Sequence, residues 1–156
     1  MKRIRILTVC LGNICRSPAA QGILESCAAE YGVDLEVDSA GTGAYHVGDR
    51  PDSRSIKALA DIGINIATQK ARRVVLEDFD YFDWILAMDK DNLKHLRQLQ
   101  PESSPAKLVM FGEFSDGVSF GEVGDPYYGK EDGFVKMRER LQLMSQSFIE
   151  HLAARS

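Results

Sequence analysis

The sequence predicts an α/β protein, a doubly wound parallel sheet of four strands with helices on both faces. Short apolar, β-branched runs recur at residues 3–9, 35–39, 84–88 and 107–110, each of strand length. Helix-forming stretches at 18–31, 53–62, 90–99 and 133–154 alternate with them, and that alternation implies a parallel sheet covered on both sides. The chain has 156 residues, 44% hydrophobic and 27% charged, enough for one sizeable core. A single domain over residues 1–156 is expected, and no internal repeat or low-complexity tract divides it.

In order, the first strand holds Ile4, Ile6, Leu7 and Val9 and runs straight into Cys10. After a short loop, Ser17 is expected to cap a helix with Pro18 at its first position. Ala19, Ala20, Gln21, Ile23, Leu24 and Glu25 continue that helix. Trp84, beside Phe82 and Ile85, is expected in the core, and Asp89 is expected to cap the helix from Lys90 while sitting at a strand end that points toward the site. The longest irregular stretch, 111–129, carries Gly112, Gly117, Gly121, Gly124 and Gly129 and brings Asp125 back to the first loop.

That first loop, Val-Cys-Leu-Gly-Asn-Ile-Cys-Arg-Ser-Pro at residues 9–18, joins a cysteine, an arginine and a helix start. At a helix N-terminus the unpaired N–H groups point outward and the dipole adds about half a positive charge, which favours a tetrahedral oxyanion. Gly12 is expected to ease the curvature, and Asn13 tolerates left-handed backbone angles while bracing its neighbours. Arg16 supplies a planar fork for two phosphate oxygens. Beneath these donors Cys10 has its thiolate stabilised, and a thiolate facing a held phosphate is poised for in-line attack. The leaving oxygen then needs a proton that the thiolate cannot supply. Asp125 is the best candidate, in a Gly-Asp-Pro-Tyr-Tyr-Gly loop that Pro126 stiffens.

These residues resemble the low-molecular-weight protein tyrosine phosphatase family, whose N-terminal Cys-x5-Arg-Ser loop is matched by Cys10 to Ser17. Further similar segments follow in the family's order: Asp38-Ser39-Ala40-Gly41-Thr42, Tyr45-His46-Val47-Gly48, Ala87-Met88-Asp89 and Asp125-Pro126-Tyr127-Tyr128-Gly129. The resemblance implies a flavodoxin-like strand order, with the site at the carboxyl ends of the strands. It also implies a phosphotyrosine phosphatase with a cysteinyl-phosphate intermediate. In that scheme Cys10 is the nucleophile, Arg16 and the loop from Leu11 through Gly12, Asn13, Ile14 and Cys15 to Ser17 bind phosphate, and Asp125 is general acid and then base.

Asn13 and Ser39 resemble positions that brace the family's loop, and Ser17 is expected to brace it too and to donate its hydroxyl to the Cys10 sulfur. Tyr45, Tyr127 and Tyr128 are expected to wall the pocket against an aromatic leaving group, with Leu11 and Ile14 at its mouth. Arginine-phosphate phosphatases of the family carry Thr where this chain has Ile14, which favours phosphotyrosine. Cys15 resembles the family's resolving cysteine, a redox partner that would protect Cys10 through a disulfide.

A formal net charge of −4 argues against a nucleic-acid surface, so phosphate must be drawn by the local field of the loop. Lys70, Arg72 and Arg73 read as a solvated basic cluster. His46, His95 and His151 have no Cys or carboxylate partners at ligand spacing, so neither a metal nor a cofactor is expected. Three cysteines make no disulfide framework, and Cys27 reads as a core or half-buried helix residue. The first apolar run is too short for a signal peptide or membrane span, so a cytoplasmic location without membrane contact is expected. The expected partner is a phosphotyrosine-containing protein, and the chain is expected to be a monomer capable of weak self-association. Two rivals fare worse. Arsenate reduction through such a loop needs a later cysteine pair, and none follows Cys27; a plain phosphate-binding module needs neither Cys10 nor Asp125.

Overall fold

The computed structural model describes residues 3–115, 123, 125–127 and 131–154. Strands β1 (Ile4–Cys10), β2 (Leu35–Gly41), β3 (Trp84–Ala87) and β4 (Lys107–Met110) form a parallel sheet in the order β2-β1-β3-β4. Around it lie helices α1 (Arg16–Tyr31), α2 (Ser53–Ala60), α3 (Asp78–Tyr81), α4 (Lys90–Leu99) and α5 (Glu131–Ala154), with a 3-10 turn at Phe111–Phe114. The expected strands and long helices appear within two residues of their expected ends. Helix α3 was not expected, because four residues are too few to show a helical period. It forms where the Asp78 carboxylate accepts the Val75 N–H at 2.9 Å.

The alternation of side chains along β1 divides the core. Ile6 and Cys10 pack in one layer with Leu24 of α1 and Phe148 of α5. Leu7 and Val9 pack in the other, with Phe79 of α3 and Leu96 of α4. Trp84 is buried as expected, in edge-on contact with Phe148 at 5.3 Å and Phe114 at 5.7 Å. Its sequence neighbours Phe82 and Ile85 belong to the opposite layer.

From β1 the chain moves outward to β2 and later returns to β3 on the other side, so a crevice opens beyond the carboxyl ends of these strands. Cys10 ends β1, and Asp89 lies just past β3.

Gly22 shows how closely α1 is packed. A Cβ there would sit 2.7 Å from Cγ2 of Ile66, a fully buried residue, and 3.0 Å from Cγ2 of Ile64. Both are branch methyls of stiff side chains. Gly22→Ala gains about 1 kcal/mol of helix propensity but incurs overpacking of about 1–3 kcal/mol. The expected result is a lower urea midpoint with unchanged slope; a raised midpoint would contradict the tight packing.

Candidate active site

At the end of β1 the backbone turns sharply, and Asn13 takes the strained step with φ of 58°. Gly12 does not adopt a positive φ. Its missing Cβ matters for another reason: one would lie 3.1 Å from Cδ2 of His46. The Asn13 side chain is fixed from both ends. Its Oδ1 accepts the Arg72 N–H at 3.0 Å, and its Nδ2 donates to Ser17 Oγ at 2.8 Å and Ser39 Oγ at 2.9 Å. These three residues lie beneath the loop as a buried brace.

The Cys10 sulfur receives the Asn13 N–H at 3.3 Å and lies 3.0 Å from Ser17 Oγ. Because Asn13 Nδ2 already donates to that hydroxyl, its own hydrogen is left to choose between the sulfur and the Ala40 carbonyl at 3.3 Å. A thiolate is the stronger attraction. This explains a departure from the sequence expectation: Ser17 is not the helix cap. Helix α1 starts at Arg16, Cys15 stands at the N-cap position without a side-chain cap, and the serine faces sulfur instead.

The end of the second strand and the residues just past it brace the same loop. Thr42 N–H donates to the Cys10 carbonyl and Gly43 N–H to the Leu11 carbonyl, both at 2.9 Å. A Cβ on Gly41 would meet the Leu11 carbonyl oxygen at 2.7 Å. A close approach of two backbones therefore requires glycine there.

Arg16 is only 3% exposed. Its Nη1 donates to Asp89 Oδ2 at 2.6 Å and to the Val123 carbonyl at 3.1 Å, while Nη2 lies 3.7 Å from Asp125 Oδ2. Burial opposes the charge, but Cys10, Asp89 and Asp125 outweigh it and hold the guanidinium protonated. Asp89 also caps α4 by accepting the Asn92 N–H at 2.7 Å. The cap was expected; the ion pair to Arg16 was not. Asp125 itself is held in an Asx turn, its Oδ1 accepting the Tyr127 N–H at 3.0 Å.

These groups surround a cavity of about 400 Å³. Cys10, Leu11, Gly12, Ile14, Cys15, Arg16, Tyr45, Asp125 and Tyr127 line it, together with His46, which the sequence reading did not assign to the site. His46 lies 3.3 Å from Asp49 and its ring centre is 6.0 Å from that of Tyr127. Only its position next to Tyr45 hinted at this. Tyr128 and most of the glycines of 111–129 fall outside the described residues. Burial, with the nearby charges of Asp52, Cys10 and Asp125, drives the Cys15 thiol far up, so it stays protonated at neutral pH.

Arg72 is not the solvated cation expected. It bridges Asp78 through both terminal nitrogens at 3.0 Å and Asp38 at 3.1 and 3.2 Å. Its backbone N–H meanwhile fixes Asn13. Among the described residues no cluster of three metal-ligating side chains occurs, and no helix is long and apolar enough to cross a membrane.

A sequence profile described as low molecular weight phosphotyrosine protein phosphatase matches residues 5–156. A protein of that name from Schizosaccharomyces pombe is 44% identical over 97% of this chain and 99% of its own length. The crystal structure of a protein tyrosine phosphatase from Entamoeba histolytica superposes with a TM-score of 0.92 at 37% identity, covering 97% of this chain and 98% of that one. A Drosophila arginine phosphatase structure reaches a TM-score of 0.89 at 30% identity, over 96% of this chain and 98% of that one. With its Cys-x5-Arg-Ser loop, strand order and near-complete coverage, this chain belongs to the low molecular weight phosphotyrosine protein phosphatase family.

Proposed function

We propose that this single-domain chain hydrolyses phosphotyrosine in proteins, and small aryl phosphate monoesters, through a phosphocysteine on Cys10. The observation that carries this reading is the meeting, in one cavity, of a hydrogen-bonded sulfur, a buried guanidinium and a carboxyl group at the rim. The Cys10 thiolate attacks phosphorus, forming the S–P bond as the ester P–O bond breaks, and the Asp125 carboxyl gives its proton to the leaving oxygen. Water then attacks the phosphocysteine while the Asp125 carboxylate takes its proton; the P–S bond breaks, and phosphate and thiolate are released. Arg16 and the loop amides hold the phosphoryl oxygens throughout.

Tyr45 and Tyr127 flank the aromatic leaving group, and Tyr128 is assigned with them. Ile14 presents an apolar wall with no hydroxyl to meet a guanidino nitrogen, which favours phosphotyrosine over phosphoarginine. The enzyme is read as a cytoplasmic monomer with at most weak self-association. Phosphate release from matched phosphotyrosyl, phosphoarginyl and phosphoseryl peptides under reducing conditions tests the assignment. The tyrosyl peptide should have the highest kcat/KM, by about 100-fold or more. Faster turnover of the phosphoarginyl peptide would overturn it.

Cys15, a neutral thiol in the same cavity, is assigned as resolving partner. Peroxide converts the Cys10 thiolate to a sulfenic acid, and the Cys15 thiol condenses with it, releasing water and forming a disulfide that thiols reduce. After peroxide and then dithiothreitol, wild type should regain most activity and Cys15→Ser several-fold less, about 3–10-fold, as the sulfenate goes on to sulfinate. Equal recovery would remove Cys15 from this role.

A further inference from the structure

We propose that Arg54 is a positioning residue for the proton donor, fixing the acid loop against the nucleophile loop through the N-terminus of α2. The proposal rests on Asp125 being that donor. Its basis is a continuous run of hydrogen bonds between the two loops. On one side, the Asp52 N–H donates to the Ile14 carbonyl at 2.7 Å and the Ser55 hydroxyl to the Cys15 carbonyl at 3.1 Å. The start of α2 thus grips the nucleophile loop at two adjacent peptides. On the other side, Arg54 Nη2 donates to the Tyr127 carbonyl at 2.9 Å. The N–H of that same Tyr127 closes the Asx turn on Asp125.

The guanidinium that joins the two sides is itself tightly held. Asp52 takes it in a two-point grip, Nε to Oδ1 and Nη2 to Oδ2, both at 3.0 Å. The Asp52 Oδ1 also accepts the Arg54 N–H at 2.9 Å as the α2 cap. The guanidinium carbon lies 4.5 Å above the Phe134 ring and 5.8 Å from that of Tyr127. A planar fork fixed on three sides loses little freedom in making one more bond. Hydrogen bonding from Arg54 lowers the Asp52 carboxyl from its ordinary value, which favours the carboxylate that holds the guanidinium. Among the described residues the Asp125 carboxyl, 40% exposed, meets the Tyr127 N–H at 3.0 Å and Arg16 Nη2 only at 3.7 Å. Its direction therefore depends on where Arg54 places the Tyr127 peptide, and general-acid transfer is sensitive to displacements of this kind.

The test compares kcat/KM, which reports steps through ester cleavage, for aryl phosphates of graded leaving-group pKa. Wild type, Asp125→Ala, Arg54→Met and Arg54→Lys are measured together with the inhibition constant of inorganic phosphate. Arg54→Met should lower kcat/KM for phenyl phosphate roughly 10-fold more than for p-nitrophenyl phosphate, a steepening in the direction of Asp125→Ala but smaller. Phosphate inhibition should move by less than about 3-fold, because the loop and Arg16 remain. Arg54→Lys, which keeps one donor for the Tyr127 carbonyl, should fall between. Equal loss for all esters in both Arg54 variants, or no loss, would overturn the positioning role while leaving Asp125 as donor. An unchanged leaving-group dependence in Asp125→Ala would remove the donor assignment, and the Arg54 proposal with it. If Arg54→Met loses phosphate binding through misfolding, Arg54→Lys decides between the same outcomes.

Discussion

Cys10→Ser should abolish turnover of a phosphotyrosyl peptide, lowering kcat by about 10⁴-fold or more, a size typical when the nucleophile of a coupled catalytic unit is removed. A serine hydroxyl is a far weaker nucleophile than a cysteine sulfur, which here meets the Asn13 N–H at 3.3 Å and the Ser17 hydroxyl at 3.0 Å in the same cavity as Arg16. Arg16 is held by Asp89, and the Asn13 side chain braces the loop through Ser17 and Ser39 without the Cys10 sulfur. Competition by inorganic phosphate should therefore persist in the variant. Loss of turnover with retained phosphate binding separates a nucleophile from a structural cysteine. Substantial residual hydrolysis would point to direct attack by water, and loss of phosphate binding would mean the substitution had collapsed the loop.

Asp125→Ala should slow esters with poor leaving groups by about 10²–10⁴-fold, while esters whose leaving oxygen needs little protonation are largely spared. The asymmetry comes from the chemistry. A nitrophenolate departs as an anion without help, but an alkoxide or tyrosyl phenolate needs the proton while the P–O bond breaks. The geometry gives a further consequence. Asp125 Oδ2 lies 3.7 Å from Arg16 Nη2, so removing the carboxyl group also removes a competitor for a guanidinium nitrogen that would hold phosphate. Phosphate should consequently bind no worse, and product inhibition should hold or strengthen. Equal slowing of good and poor leaving groups would argue that the residue shapes the pocket rather than donating the proton.

Local signals in the sequence carried far. Cys10, Arg16 and the helix start are contiguous, so their meeting needed only a strand and a turn. That Asp125 returns to the first loop's cavity was legible because Pro126 stiffens the loop that carries it. What stayed hidden depends on groups far apart in sequence. Asp89 meets Arg16 across 73 positions and Arg72 fixes Asp38 across 34. Both became visible only when the sheet order brought the strand ends together. Ser17 misled for a different reason: one hydroxyl satisfies either a helix cap or a sulfur, and the sequence does not say which. Arg54 gave no signal at all, since its partner on the acid loop is a backbone carbonyl, which any residue supplies.

In the proposed mechanism the phosphoryl group passes through Cys10. Rapid mixing of wild-type enzyme with a phosphotyrosyl peptide, acid quenching within one turnover and mass spectrometry of the digest tests it most directly. One phosphoryl group should appear on the peptide containing Cys10, forming and decaying at rates that account for kcat, and it should be absent from Cys10→Ser. Phosphate released at full rate with no phosphorylated Cys10, or with the phosphoryl group on another residue, would contradict the mechanism.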